Sequence, residues 1–202
     1  MKSNSENRIL KNATHLFFAY GIQRITMDDI ATKTGVSKKT IYKYFENKDE
    51  LLQQIITLQL AKFQDVLLKN NKECENALVE LIYFFEYINQ LAFKISASFG
   101  KELKKYHTAV FIIEIKNINT HVMAFLLNNI SRGKQEGVYK SDLNIVEISE
   151  SFTEFSKKLF FNGFLSNSIT NNKQTITFLN SLFLHRLVSI KGLDLLNDYN
   201  KS

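Results

Sequence analysis

The side chains best suited to chemistry on a polyanion lie between Thr26 and Lys48, in the stretch TMDDIATKTGVSKKTIYKYFENK. Lys38, Lys39, Thr40, Tyr42, Lys43 and, at its edge, Tyr44 share the outer face of a short predicted helix whose inner face is Ile41 and Phe45, four residues apart. Lysines neutralise phosphates and displace their counterions, while Thr and Tyr hydroxyls bond phosphate oxygens or base edges. From Lys33 to Lys48 there are five lysines against Glu46 alone. The amides at a Ser37 cap suit a phosphate held directly at a helix start.

Two predicted helices position this face. Ile30 and Ala31 form an apolar patch on the first, Gly35 interrupts the pattern, and Ile41 resumes it on the second. Thr26 suits the N-cap of the first helix, with Asp29 closing a capping box and Asp28 and Asp29 matching the positive end of the dipole. Ser37 repeats the cap for the second. Gly35 supplies the positive φ that turns the chain, and Val36 tucks beneath the bend. This is the punctuation of a helix-turn-helix, and capping, glycine bend and inward spacing together point to DNA rather than to a merely solvated basic helix.

In order and spacing, Ile9, Ala13, Leu16, Phe17, Gly21, Thr26, Met27, Ile30, Ala31, Gly35, Val36, Ser37, Ile41, Tyr42, Tyr44, Phe45, Lys48 and Leu51 resemble the N-terminal signature of the TetR family of bacterial transcriptional regulators, over about the first quarter of the chain. The resemblance implies an all-α homodimer: a three-helix DNA-binding head, residues 1–47, and an effector-binding and dimerisation body, residues 48–202. It also implies a phosphate contact for Lys48, a cation otherwise misplaced at the start of a fourth helix capped by Asn47. Lys39 stands where many members have Gly. Either the backbone stands further from DNA there or Lys39 adds a phosphate or guanine contact.

Composition agrees with an all-α reading. Proline is absent and only seven glycines interrupt a chain that is 45% hydrophobic. The net charge is +6, and residues 1–50 carry half of it, with nine Lys or Arg against six Asp or Glu. Lone Cys74 reads as a small packing side chain. The opening MKSNSENR lacks the apolar core of a signal peptide, and no apolar run approaches membrane-spanning length, so the expected location is the bacterial cytoplasm, at the nucleoid when bound to DNA.

Before the helix-turn-helix, residues 2–5 read as a polar arm and Ile9, Ala13, Leu16, Phe17 and Tyr20 as one apolar stripe ending at Gly21, with Lys2, Arg8 and Lys11 as accessory phosphate contacts or plain surface. Leu52, Ile56, Leu60, Phe63 and Leu67 predict a long fourth helix to about Asn70, linking head to body. A fifth runs from about Glu75 to Ser98, with Asn76, Glu80, Tyr83, Tyr87, Gln90 and Lys94 as its solvent side. Glu86 and Asn89 fall on a row with Val79, Ile82 and Phe93, and read either as the edge of that exposed stripe or as the wall of a ligand pocket. Gly100 and the KELKK run read as a connection. Another helix follows from about Thr108 to Arg132, with Phe111, Ile115, Ile118, Val122 and Phe125 as core row and Glu114, Asn117 and His121 as a polar row, either surface or pocket lining. Glu86, Asn89, Phe93, Asn117 and His121 are thus the candidate effector contacts.

Past the GKQEGVYKSDL turn, Ile145, Ile148, Phe152, Phe155 and Leu159 form a packing seam, with Gly163 available for close approach. In the last helix Ile176, Leu179, Phe183, Leu187 and Ile190 form one row, widened by Phe178 and Leu182. Stripes this wide predict burial on two sides, hence a homodimer through residues 143–195; Asn171, Asn172 and Lys173 separate the pair, and the tail after Leu196 reads as loose. His15, His107, His121 and His185 are scattered, with no metal-ligand spacing, phosphate loop or nucleophile elbow, so neither a metal, a cofactor nor an enzyme is expected. The remaining rival is a helical protein that binds anionic membrane surfaces through its basic face. The favoured reading is a regulator on a palindromic double-stranded operator, released by a small-molecule effector.

Overall fold

The computed structural model describes residues 3–161 and 173–199. It contains α1 (Asn4–Tyr20), α2 (Met27–Thr34), α3 (Lys38–Tyr42), α4 (Lys48–Glu73), α5 (Ala77–Lys94), α6 (Ala97–Tyr106), α7 (Thr108–Gln135), α8 (Ile145–Phe161), α9 (Lys173–Leu187) and α10 (Ile190–Tyr199). Among the described residues the one β-type pairing is an isolated bridge between Tyr139 and Val188, so the fold is all-α as expected.

Apolar spacing explains the head. Ile9, Ala13 and Phe17 of α1, Ile30 of α2, Ile41 of α3 and Phe45 just after it are buried in one cluster. That cluster continues without a break into Leu51, Leu52 and Ile55 of α4, Phe99 and Leu103 of α6 and Val110 of α7. A second cluster fills the body. There Phe84 stacks on Phe125 at 4.6 Å between centroids, and Phe152 meets Phe183 at 5.0 Å. α4 and α7 run side by side in the same direction, joined by Asp49 to His107 at one end, Gln64 to His121 midway and the Asn71 carbonyl to Arg132 at the other.

Several expectations are corrected. A Ser3–Glu6 capping box starts α1 at Asn4, where a polar arm was expected. The KELKK run belongs to α6, because Phe99 and Leu103, four residues apart, give that segment a buried face. Glu80 is not on the solvent side but 1% exposed: its carboxylate accepts from Asn71 Nδ2 at 3.0 Å and Asn129 Nδ2 at 2.8 Å, with Arg132 at 3.5 Å. Tyr139, whose burial pushes its phenol well up, adds to this network with its hydroxyl 3.0 Å from both the Ala77 carbonyl and Asn129 Oδ1. Its ring crosses α7 so closely that a Cβ at Gly133 would lie 2.1 Å from it.

Past that crossing, Lys140 donates to the Leu187 carbonyl and Ser189 to that of Val138. The last predicted helix is therefore cut at Val188–Ser189. Ile190, expected in its core row, starts α10 at 84% exposure, and the expected loose tail is helical to Tyr199. α7 is long and apolar enough, by length and composition, to span a bilayer, contrary to expectation; it instead packs against α4, α5, α6 and α8. Gly163, Asn171 and Asn172 and the side chain of Leu159 lie outside the described residues, as does Lys2.

Candidate nucleic-acid interface

Local hydrogen bonds build the helix-turn-helix. The Thr26 hydroxyl accepts from the Asp29 amide at 3.1 Å, while Asp29 Oδ2 accepts from the Thr26 amide at 2.8 Å and its hydroxyl at 2.7 Å. Those bonds, the backbone one first, hold the Asp29 carboxyl below its ordinary value. Gly35 ends α2 in the left-handed region, φ 70°, and its amide and that of Val36 close the helix on Thr32 and Ala31 carbonyls. Arg8 donates to the Thr34 carbonyl at 2.7 Å, and so braces α2 from α1. Ser37 then accepts from the Thr40 amide at 3.1 Å, and the two hydroxyls lie 2.8 Å apart.

Ile41 and Phe45 are fully buried, which fixes the rotation of α3. Lys39, Tyr42 and Lys43 are consequently exposed, Tyr42 at 46%, and Thr40 is half-buried at the cap. Lys38 is exposed but bonds Asp28 at 2.6 Å, which raises its pKa. Tyr44 leans back on the head core, its ring 6.4 Å from that of Phe45. Ser37, Lys38, Lys39, Thr40, Tyr42 and Lys43 therefore lie together along α3 and its cap, and the Lys38–Asp28 bond ties them to the first turn of α2, which Thr26 caps. This arrangement can hold phosphate oxygens and present α3 to a major groove.

Lys48 is used differently. Its ammonium donates to the carbonyls of Ile22 at 2.5 Å and Ile25 at 2.6 Å, and sits 5.5 Å from the centre of the Phe17 ring. Burial lowers its pKa. A cation at the start of α4 is thus accounted for within the head: it closes the turn between α1 and α2. The other side of that turn is gripped from the body, where Glu102 Oε2 of α6 accepts from the amides of Ile22 at 2.6 Å and Gln23 at 2.8 Å. His107 Nδ1 lies 2.5 Å from Asp49 Oδ1, and the Ser96 amide donates to the Phe18 carbonyl at 2.6 Å. Sequence reasoning missed Glu102 because its partners are backbone amides 80 and 79 residues away.

Among the described residues no hydrogen bond joins Glu86, Asn89 or Phe93 of α5 to Asn117 or His121 of α7. Glu86 is exposed and accepts from the Tyr199 hydroxyl at 3.2 Å, Asn89 accepts from Asn180, Phe93 is 43% exposed and Asn117 is exposed. His121 bonds Gln64 and the Asn117 carbonyl. Their neighbour Glu114 is the unexpected one. It is 4% exposed and its Oε2 has no hydrogen-bond partner. It lies on α7 between Val110, of the first apolar cluster, and Val122, of the second.

Residues 9–55 match the family model described as bacterial regulatory proteins, tetR family. The chain is 29% identical over 154 residues to the helix-turn-helix-type transcriptional regulator YhgD of Bacillus subtilis, a match covering 76% of this chain and 70% of that one. It is 29% identical over 80 residues to IcaR of Staphylococcus epidermidis, a negative regulator of the biofilm operon, covering 40% of this chain and 42% of that protein. A TetR-family regulator from Agrobacterium tumefaciens shares the fold with TM-score 0.75 at 15% identity, covering 92% of this chain and 98% of that one. A regulator from Cytophaga hutchinsonii does so with TM-score 0.73 at 18% identity, covering 93% and 100%. With the capped helix-turn-helix and its lysine face, these matches favour DNA over a membrane surface as the polyanion, and residues 9–55 carry the N-terminal DNA-binding region described for bacterial regulatory proteins of the tetR family.

Proposed function

We propose that this regulator is a repressor that binds a palindromic operator as a homodimer and leaves it when a small molecule occupies the body. The observation that carries the reading is the exposed face of Lys39, Tyr42 and Lys43, held outward by Ile41 and Phe45 at zero exposure. Repression follows the negative regulator among its relatives. The head, residues 1–47, does the binding from the cytoplasm; the body, 48–202, supplies pairing and response. Pairing through residues 143–195 is supported by Phe155 of α8 and Phe178 and Leu182 of α9, which are 41%, 61% and 52% exposed on neighbouring helices. A solvated apolar area of that kind suits a two-fold contact.

Ligand response is supported by Glu114, since a buried carboxylate without a partner is satisfied by a ligand that brings a hydrogen-bond donor or a cation. His121, two turns along α7, belongs to the same proposed site. Asn117, Glu86, Asn89 and Phe93 would serve only at its margin, given their exposure or other bonds. Movement of α6 would then reach the head through Glu102. A ligand releases DNA only to the extent that it prefers the DNA-incompetent arrangement.

Selection of fragments from genomic DNA, followed by fluorescence anisotropy on the winners, tests the reading. Enrichment of discrete fragments with dyad symmetry is expected, and Glu114→Leu should retain DNA binding but lose release by a ligand that releases the wild type. Recovery of no sequence above bulk DNA would overturn it.

A further inference from the structure

A groove of about 760 Å³ runs between α1, α4 and α5, and Glu114 is not among the residues that line it. Its apolar lining is Phe18 of the head with Val66, Tyr87 and Leu91 of the body, all half-buried. Around it stand Lys11 from α1, Lys62 from α4 and Lys94 from α5, with His15 and, as the one carboxylate in the lining, Asp65. Among the described residues none of the three ammonium groups has a hydrogen-bond or ion-pair partner, although other surface lysines here, such as Lys38 and Lys69, do.

We infer that this groove binds an amphipathic organic anion, one with a carboxylate, sulfonate or phosphate at one end and an aryl or hydrocarbon body, which bridges head and body. Three helices each bring an unpaired cation to one concave, partly apolar surface, and such a cleft concentrates its field on an anion. The volume fits a small organic molecule rather than a lone inorganic ion. Tyr87, its ring stacked on Phe63 at 5.7 Å, offers a hydroxyl that burial keeps protonated and so able to donate to the anion. The DNA-facing residues of α3 do not line the groove, so the inference stands independently of operator binding.

The test uses the full chain and two fluorescent probes that differ by one group: anilinonaphthalene sulfonate and its uncharged parent, N-phenylnaphthylamine. Wild type should bind the sulfonate more tightly than the parent. Lys11→Gln in the head and Lys62→Gln with Lys94→Gln in the body should each weaken the sulfonate by at least about threefold and leave the parent and the melting curve unchanged. Because these side chains are exposed, the variants are expected to fold. The inference is overturned if the sulfonate binds no better than the parent, if the lysine variants hold it as wild type does, or if they lose both probes equally.

Discussion

Replacing Lys48 with Met separates two roles for the same side chain. Met keeps most of the aliphatic packing against Phe17 but removes the ammonium that holds the carbonyls of Ile22 and Ile25 at 2.5 and 2.6 Å. Hydrogen bonds from a charged donor contribute roughly 1.5–3 kcal/mol each, and part of that is offset because the half-buried ammonium is relieved of its desolvation, so a net loss of about 2–4 kcal/mol is expected. For a chain of this size each kcal/mol moves the midpoint by about 2–4 °C, which puts the expected drop at roughly 5–15 °C. Melting should be followed at fixed protein concentration, since the proposed dimerisation would make the midpoint concentration-dependent. DNA binding is measured well below that midpoint as a function of salt. If Lys48 is a head brace, the slope of log K against log salt stays at the wild-type value. A phosphate contact instead flattens it by about 0.9. An unchanged melting curve with a flattened slope would refute the structural assignment and restore Lys48 to the DNA.

Lys43→Ala, at an exposed position without a protein partner among the described residues, is expected to weaken specific and non-specific DNA alike and to flatten the same slope by about 0.9. A loss confined to one base position would make Lys43 a base reader. Ile41→Ala should act through the fold, at about 2–5 kcal/mol, and an unaltered denaturation curve would contradict the packing. Asp29 has a folded pKa below its ordinary 3.8, so the stability it lends α2 is complete above that value and lost as pH falls through the folded one. Thr26→Ala, which removes the hydroxyl bond and keeps the backbone one, should bring the carboxyl part of the way back toward 3.8 in an NMR titration, and equal values in the two proteins would show that the Thr26 hydroxyl is not one of the causes.

What the sequence disclosed was whatever is settled within a few residues. Thr26 with Asp29, Gly35 and Ser37 are three- or four-residue devices, and the inward pair Ile41 and Phe45 is a single turn of helix; each was readable and each stands in the structure. Glu80 was misplaced because its polar type outweighed its position. Only Asn71, Asn129 and Arg132, from two other helices, make its burial tolerable, and no local pattern announces them. α6 was missed for the opposite reason: four charges and a glycine obscured a face carried by just Phe99 and Leu103. Lys48 was noticed as a charge against the dipole, yet the carbonyls that accept from it lie 26 and 23 residues away. The grip of Glu102 is longer still, so the connection between head and body was invisible where the head itself was plain.

Two copies of the Lys39, Tyr42 and Lys43 face are proposed to enter successive major grooves of one operator. Footprinting of the purified protein on a selected genomic fragment tests it most directly. Two symmetric protected half-sites are expected, with centres about one helical turn apart, roughly 34–36 Å or somewhat more, both lost in Lys43→Ala at moderate salt. A single half-site, or protection that survives in Lys43→Ala with an unchanged salt dependence, would contradict it.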